Sequence, residues 1–100
     1  MSVYLMAQIH IHDRERYARY EAGFIEVLND HDGTLVVVDD AATVIEGDWP
    51  FNRSVLVRFE TQVAALGWYH SDAYQRLLEH RLAASVGNIV LVRGLGEKGK

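Results

Sequence analysis

Two short stretches of this chain contain only apolar residues, and they constrain the fold more than any other feature. Residues 35–38 read Leu-Val-Val-Val, and residues 89–92 read Ile-Val-Leu-Val. β-Branched runs of this kind are typical of strands, but a strand with one face in water alternates apolar and polar residues. A sheet containing both stretches must therefore be covered on both faces. A second copy of the same sheet is the simplest cover, so the runs predict a homodimer.

The remaining patterns predict the element order β-α-β-β-α-β. Residues 3–12 alternate apolar and polar side chains with the period of two that is typical of a strand. The predicted second strand is bent: it covers residues 34–38 and resumes at residues 44–46 after a bulge or small loop. The third and fourth predicted strands are residues 53–60 and residues 89–93. Helical patterns capped by Asp13 and Thr61 lie between the strands, and Ser71-Asp72 breaks the second of them and caps its continuation.

This order is the split βαβ pattern, in which the helices cover one face of the sheet. It predicts a ferredoxin-like α+β fold with a four-stranded antiparallel sheet, in a single domain over residues 1–95. Residues 96–100 are expected to form a flexible tail, because they are glycine-rich and terminal.

The composition excludes several classes of function. The formal net charge is −4, so the chain lacks the basic surface that binding to nucleic acid requires. It contains no cysteine, which excludes disulfides, thiolate nucleophiles and cysteine metal sites. The apolar start lacks the basic region of a signal peptide, and no apolar run approaches the roughly 20 residues that span a bilayer. We therefore expect a cytoplasmic protein with no nucleic acid or membrane partner.

The histidines do not predict a metal site. His10 and His12 lie two residues apart on one strand face, and His31 or His70 is the available third ligand. No acidic residue stands at a characteristic ligand spacing, however, and histidines near strand ends often face water or a dimer interface. Nucleophile motifs and phosphate-binding glycine loops are also missing from the sequence. We therefore expect no bound metal and no cofactor.

An aromatic cluster with one arginine is the strongest candidate site. The candidate ligand-binding residues of the two helical regions are Tyr17, Tyr20, Trp68, Tyr69, Tyr74 and Arg81. Arg81 follows Tyr74 by two helical turns, so their side chains share one helix face. Aromatic walls with hydrogen-bonding tips beside a guanidinium suit a small anionic organic ligand. The alternative is that the aromatic residues are core and rim residues and that Arg81 pairs with a nearby glutamate.

Three further residues have less defined roles. Trp49 precedes Pro50 and is therefore biased to an extended conformation that projects its ring out of the loop. It either covers a pocket or packs across the dimer interface. If the pocket is catalytic without metal or cofactor, His70 or His10 is the expected proton-transfer group, because unperturbed histidine titrates near neutral pH.

Two motifs connect the chain to a known family. Glu46-Gly47-Asp48-Trp49 forms a loop, and Trp68-Tyr69-x-Ser71-x-x-Tyr74-Gln75 spans the second helical region. Together with Gln8, Tyr17, Tyr20, Arg81 and Asn88, they cover nearly the whole chain. In these residues the chain resembles the uncharacterised bacterial family called domain of unknown function 1330. It departs from the family's usual pattern at His70 and at Asp72-Ala73.

The resemblance implies a dimeric α/β barrel, in which two ferredoxin-like subunits pack their sheets face to face with the helices outside. Relatives of this architecture include cofactor-free monooxygenases, lactone isomerases and haem enzymes, so the fold does not select a chemistry. Two classes of function stay open. One is a homodimeric small-molecule binder, extending to a cofactor-independent enzyme for a small organic acid or enolate-type compound. The other is a non-catalytic structural or interaction dimer with no ligand site.

Overall fold

The computed structural model of the protein describes residues 2–95, which form four strands and three helices. In chain order they are β1 (Val3–Ile11), α1 (Arg14–Asp30), β2 (Thr34–Asp39), β3 (Arg53–Phe59), α2 (Gln62–Tyr69), α3 (Asp72–Ala84) and β4 (Ser85–Arg93). The sheet order is β2-β3-β1-β4, and every neighbouring pair is antiparallel. The predicted ferredoxin-like α+β fold is confirmed. The predicted flexible tail at residues 96–100 lies outside the described residues.

Each helix begins at the cap residue that the sequence predicts. The side chains of Asp13, Thr61 and Ser71 accept hydrogen bonds from the backbone N–H three residues further on, each at 3.1 Å. Such a bond satisfies one of the amide groups that the first turn of a helix leaves without a partner. The cap at Ser71 starts a new helix axis directly after α2, and this turn brings the rings of Trp68 and Tyr74 to 4.1 Å between centroids.

The bounds of the second and fourth strands in the structure differ from the predicted bounds. Residues 44–46 are exposed loop and not strand, because β3 begins at Arg53 and pairs with β2 only as far as Asp39. The irregularity in β2 falls earlier, where the register shifts between Leu35 and Val37. The last strand begins at Ser85, four residues before its predicted start, because residues 85–88 pair with the end of β1. Pairing with a neighbouring strand therefore overrides the turn-like composition of this segment.

The two faces of the sheet have different surroundings. The helices cover the inner face, where Val3, Leu5, Ile9, Val57 and Phe59 form part of the buried core. The opposite, open face carries apolar side chains that no described residue covers. Those with more than a third of their surface exposed include Met6, Val37, Val86, Val90 and Val92.

The overall dimensions agree with this arrangement, since the Cα atoms span 44 × 38 × 15 Å, the shape of one sheet under one layer of helices. None of the helices in the described range is long and apolar enough to cross a lipid bilayer.

Candidate ligand-binding cavity

A cavity of about 220 Å³ lies between the inner face of the sheet and the helices. Its volume is below the roughly 300–1,000 Å³ of sites for drug-sized ligands, so it suits a small molecule. Most of its wall is apolar. The aliphatic side chains that line it are Leu5, Ala7, Ile9, Ile25, Leu35, Val38, Val55, Val57 and Ile89.

The structure brings six of the predicted ligand-binding residues together in the wall of this cavity. They are Tyr17, Tyr20, Trp68, Tyr69, Tyr74 and Arg81. Helix α1 supplies the first two from adjacent turns of one face, and α3 supplies Tyr74 and Arg81 from one face two turns apart. The helical periodicity of the sequence is thus sufficient to locate these side chains at one site.

The aromatic residues form a continuous cluster joined by one hydrogen bond. The hydroxyl oxygens of Tyr20 and Tyr74 lie 2.8 Å apart and connect α1 to α3. The ring centroid of Tyr17 lies 5.3 Å from that of Tyr20, and the centroid of Trp68 lies 4.1 Å from that of Tyr74. The rings therefore hold the two helices at a fixed separation above the sheet.

Arg81 is buried in this cluster without an acidic partner. Its exposed fraction is 5%, and its guanidinium carbon lies 5.9 Å from the centre of the Tyr20 ring. No carboxylate of the described chain forms an ion pair with it, and its buried Nε has no hydrogen-bond partner among the described residues. The expected alternative, an Arg81–glutamate pair, does not occur among residues 2–95.

A second buried donor on the cavity wall is also without a protein partner. Trp68 is 4% exposed, and its Nε1 has no acceptor in the described chain. An unsatisfied buried donor costs about 1–3 kcal/mol, and each one in a native structure requires an explanation. Two such donors, Trp68 Nε1 and Arg81 Nε, belong to residues of one cavity.

The electrostatics of the wall favour protonated tyrosines. Burial raises the pKa of Tyr20 well above the usual value, and the neighbouring Tyr74 raises it further. Burial also raises the pKa of Tyr17, and the nearby Arg53 only partly offsets this. Burial, the largest single effect, lowers the pKa of Arg81. The oxygens of the surrounding tyrosines, Tyr74 above all, together outweigh burial and raise this pKa. At neutral pH the wall therefore holds neutral phenols beside a charged guanidinium.

Two charged residues of the cavity were missed by the sequence interpretation, namely Arg53 and Glu21. Arg53 is 9% exposed; its Nε and Nη2 donate to Asp40 at 2.6 and 3.0 Å, and its Nη1 donates to Glu21 at 2.5 Å. Its guanidinium carbon also lies 5.5 Å from the centre of the Tyr17 ring. The hydrogen bond from Arg53 holds the pKa of the Asp40 carboxyl below its usual range.

A signal for Arg53 was present in the sequence. Alternation in β3 places it on the same face as Val55, Val57 and Phe59, which all point toward the helices. A charged residue on the covered face of a strand requires a partner of opposite charge. The identity of that partner could not be predicted, because Glu21 is 32 residues away along the chain.

The three remaining candidates do not line the cavity. Trp49 lies at the open face, where its Nε1 donates to Ser54 Oγ at 2.9 Å. His10 is exposed on the open face of the sheet, and the centroid of its ring lies 6.4 Å from that of Phe51. His70 is exposed at the end of α2. Within the described range, no group of three or more histidine, aspartate or glutamate side chains is arranged to hold a metal ion.

Comparison with known families identifies the chain at the level of its family. The family described as "Domain of unknown function (DUF1330)" matches residues 2–95. The chain belongs to this family. No curated protein matches the sequence of this DUF1330 member.

Solved structures with the same fold include proteins with and without a stated activity. A protein of unknown function from Rhodopseudomonas palustris is 14% identical, with a TM-score of 0.80, over 95% of this chain and 83% of its own. A dimeric ferredoxin-like protein of unknown function from Jannaschia sp. CCS1 is 9% identical, with a TM-score of 0.68, over 94% and 100%. SnoaB, a cofactor-independent oxygenase from Streptomyces nogalater, is 11% identical, with a TM-score of 0.57, over 99% and 98%. At these identities the likeness shows the shared fold alone.

Proposed function

We propose that this DUF1330 member is a homodimeric small-molecule-binding protein whose cavity takes a small organic acid or an enolate-type compound without a cofactor. The buried Arg81, which has no acidic partner, carries the proposal. A buried charge is strongly unfavourable unless a partner compensates it, and the described chain supplies no carboxylate to this guanidinium. An anionic oxygen of a ligand is the missing partner, since an arginine–carboxylate contact is a strong charge-assisted hydrogen bond.

The remaining wall defines the rest of the ligand. Apart from Arg81 and the ion-paired Arg53 and Glu21, the cavity is lined by aromatic rings and aliphatic side chains, so the ligand needs an apolar body. The oxygenase SnoaB shares this fold, which is compatible with a reaction in such a cavity but does not select one.

Calorimetry with a fixed panel of organic acids tests the binding site. The panel is benzoate, phenylacetate, phenylpyruvate, hexanoate and acetoacetate, titrated into wild type, Arg81→Met and Arg76→Met. Arg76 is exposed on the same helix and serves as the matched control. Arg81→Met should weaken any bound acid by about 1.5–3 kcal/mol, the range for a hydrogen bond to a charged group, whereas Arg76→Met should leave the affinity unchanged.

The competing hypothesis is a structural dimer in which the aromatic cluster is only packing. It is favoured by the continuous ring contacts around Tyr74, whose side chain is almost completely buried. It predicts that no acid of the panel binds, or that binding persists unchanged in both Arg81→Met and Trp68→Phe. Either result would exclude the proposed ligand site.

A second copy of the chain is the proposed cover of the open face. The exposed apolar side chains of that face are contiguous across the register, where Met6 lies opposite Leu56 on β3 and Val90 on β4. The Jannaschia protein with this fold is itself described as dimeric. Face-to-face packing of two sheets would bury these side chains at the usual spacing of about 10 Å.

Light scattering tests the dimer. Wild type should have about twice the 11.3 kDa mass of the chain. Met6→Asp places a charge at the centre of the open face and should give a monomer, because an unpaired charge is costly inside an interface. Val63→Asp is the matched control, since Val63 is 82% exposed near the start of α2. A monomeric wild type, or a dimer that persists in Met6→Asp, would contradict the proposed interface.

A further inference from the structure

Few side chains in the described lining of the cavity can accept a proton. Its titratable lining residues are Tyr17, Tyr20, Glu21, Arg53, Tyr69, Tyr74 and Arg81. Arginine stays protonated in proteins, and phenols ionise near pH 10 in water. Burial moves the pKa values of Tyr17 and Tyr20 still higher. Glu21 is the one carboxylate among the described lining residues.

The position of Glu21 is fixed by its contact with Arg53. Arg53 Nη1 donates to Glu21 Oε2 at 2.5 Å, while its other two nitrogens bind the two oxygens of Asp40. The guanidinium is thus held from two sides, and it orients the carboxylate through one oxygen. The second oxygen, Oε1, accepts no hydrogen bond from the described residues. About half of the Glu21 side chain is exposed, which places it at the cavity mouth.

From this geometry we propose that Glu21 is the catalytic proton acceptor of the cavity, and that the substrate is a carbon acid, a carbonyl compound with an acidic C–H bond. The inference rests on the proposed function, because it needs a ligand oxygen bound at Arg81. It replaces the histidines as proton-transfer groups, since His10 and His70 lie outside the cavity lining.

The proposed step is a balanced proton transfer. The C–H bond next to the carbonyl breaks, and its proton moves to Glu21 Oε1. The electron pair of that bond forms a carbon–carbon double bond, and the carbonyl π pair moves to oxygen. The resulting enolate oxygen is held by the guanidinium of Arg81, which lines the cavity and has no acidic partner among the described residues. Return of the proton to the same carbon, or to another, completes an exchange or an isomerisation without an oxidant.

Hydrogen–deuterium exchange into phenylpyruvate and acetoacetate in D₂O, followed by proton NMR, tests this step. Wild type should accelerate the loss of the acidic C–H signal. Glu21→Gln retains an oxygen for Arg53 but cannot take the proton, so the acceleration should fall at least 100-fold, as expected for loss of a general base. The dissociation constant, measured by calorimetry, should change by less than about threefold, because the Arg81 contact remains.

Two further variants control this experiment. Glu26→Gln alters an exposed carboxylate of α1 that does not line the cavity, and it should exchange as fast as wild type. Glu21→Asp retains the charge but withdraws the carboxylate by one methylene, and it should lower the exchange rate at least tenfold, because general bases require close positioning. This variant decides the question if Glu21→Gln fails to fold.

The outcomes separate the two proposals. If the probes bind but do not exchange faster than in buffer, or exchange equally fast with Glu21→Gln, Glu21 is not the proton acceptor and the binding proposal stands. If neither probe binds wild type, the ligand site and the proton transfer are both wrong. Binding with exchange that is lost only on changing Glu21 supports both.

Discussion

Arg53 and Arg81 are both buried against the same cavity, yet their surroundings are opposite. Arg53 lies at the mouth, contacts the ring of Tyr17, and forms ion pairs with Glu21 and Asp40. Arg81 lies on the helix wall, contacts the ring of Tyr20, and has no acidic partner in the described chain. The described chain therefore pairs one buried guanidinium with carboxylates and surrounds the other with tyrosines.

The difference indicates that the two arginines have different roles. An arginine whose donors bind two carboxylates stabilises the fold by connecting three segments of the chain. A buried arginine that has no acidic partner among the described residues is available to pair with an anionic ligand. We therefore regard Arg53 as a structural residue that also positions Glu21, and Arg81 as the arginine that binds the ligand.

The largest expected effect is that of Arg53→Met. It removes the donors to Glu21 and Asp40, so the free energy of unfolding in urea should fall by about 2–3 kcal/mol, within the range for charged hydrogen bonds. Arg76→Met is the control, because Arg76 is exposed on α3, and its loss should lower the free energy of unfolding by less than about 1 kcal/mol. A loss for Arg53→Met no greater than that for Arg76→Met would remove the contrast between Arg53 and Arg81.

A smaller effect is expected at the hydroxyl pair beside Arg81. Tyr20→Phe leaves the buried hydroxyl of Tyr74 without its partner, which should lower the free energy of unfolding by about 1–2 kcal/mol. Changing both tyrosines to phenylalanine removes donor and acceptor together and should cost no more than the single change. If the double variant lowers the free energy of unfolding by the sum of the losses for Tyr20→Phe and Tyr74→Phe, the two hydroxyls are bonded to other groups.

The smallest effect concerns pH at the mouth of the cavity. The Arg53 hydrogen bond holds the pKa of Asp40 below its ordinary value of 3.8. A carboxyl with a lowered folded pKa contributes stability above its unfolded pKa and loses it as the pH falls through the folded value. The stability difference between wild type and Asp40→Asn should thus be less than about 1 kcal/mol at pH 6, because about half of the Asp40 side chain is exposed, and should vanish in stronger acid.

The same pH series with Arg81→Met provides the comparison. No described carboxylate pairs with Arg81. The difference in free energy of unfolding between Arg81→Met and wild type should therefore not change as Asp40 becomes protonated. A parallel loss of the Arg81→Met difference over this pH range would show that an acidic partner acts on Arg81.

The sequence was sufficient for the fold and for much of the cavity, because both follow from local periodicity. The spacing of residues along α1 and α3 is enough to place Tyr20, Tyr74 and Arg81 on the helix faces that point toward the sheet. The Arg53–Glu21 contact could not be predicted, since it joins a strand to a helix across the tertiary fold. For the same reason, the sequence left open whether Trp49 covers the cavity or packs at the open face.

Equilibrium unfolding of wild type and Arg81→Met, each with and without the panel acid that binds wild type best, tests the central claim most directly. Without ligand, Arg81→Met should be at least as stable as wild type, because an apolar side chain replaces a buried charge that has no acidic partner among the described residues. With the acid at about 100 times its dissociation constant, wild type should gain about 2.7 kcal/mol and Arg81→Met much less, at equal protein concentration. A large loss of stability in unliganded Arg81→Met, or an equal gain in both proteins, would contradict a ligand site at Arg81.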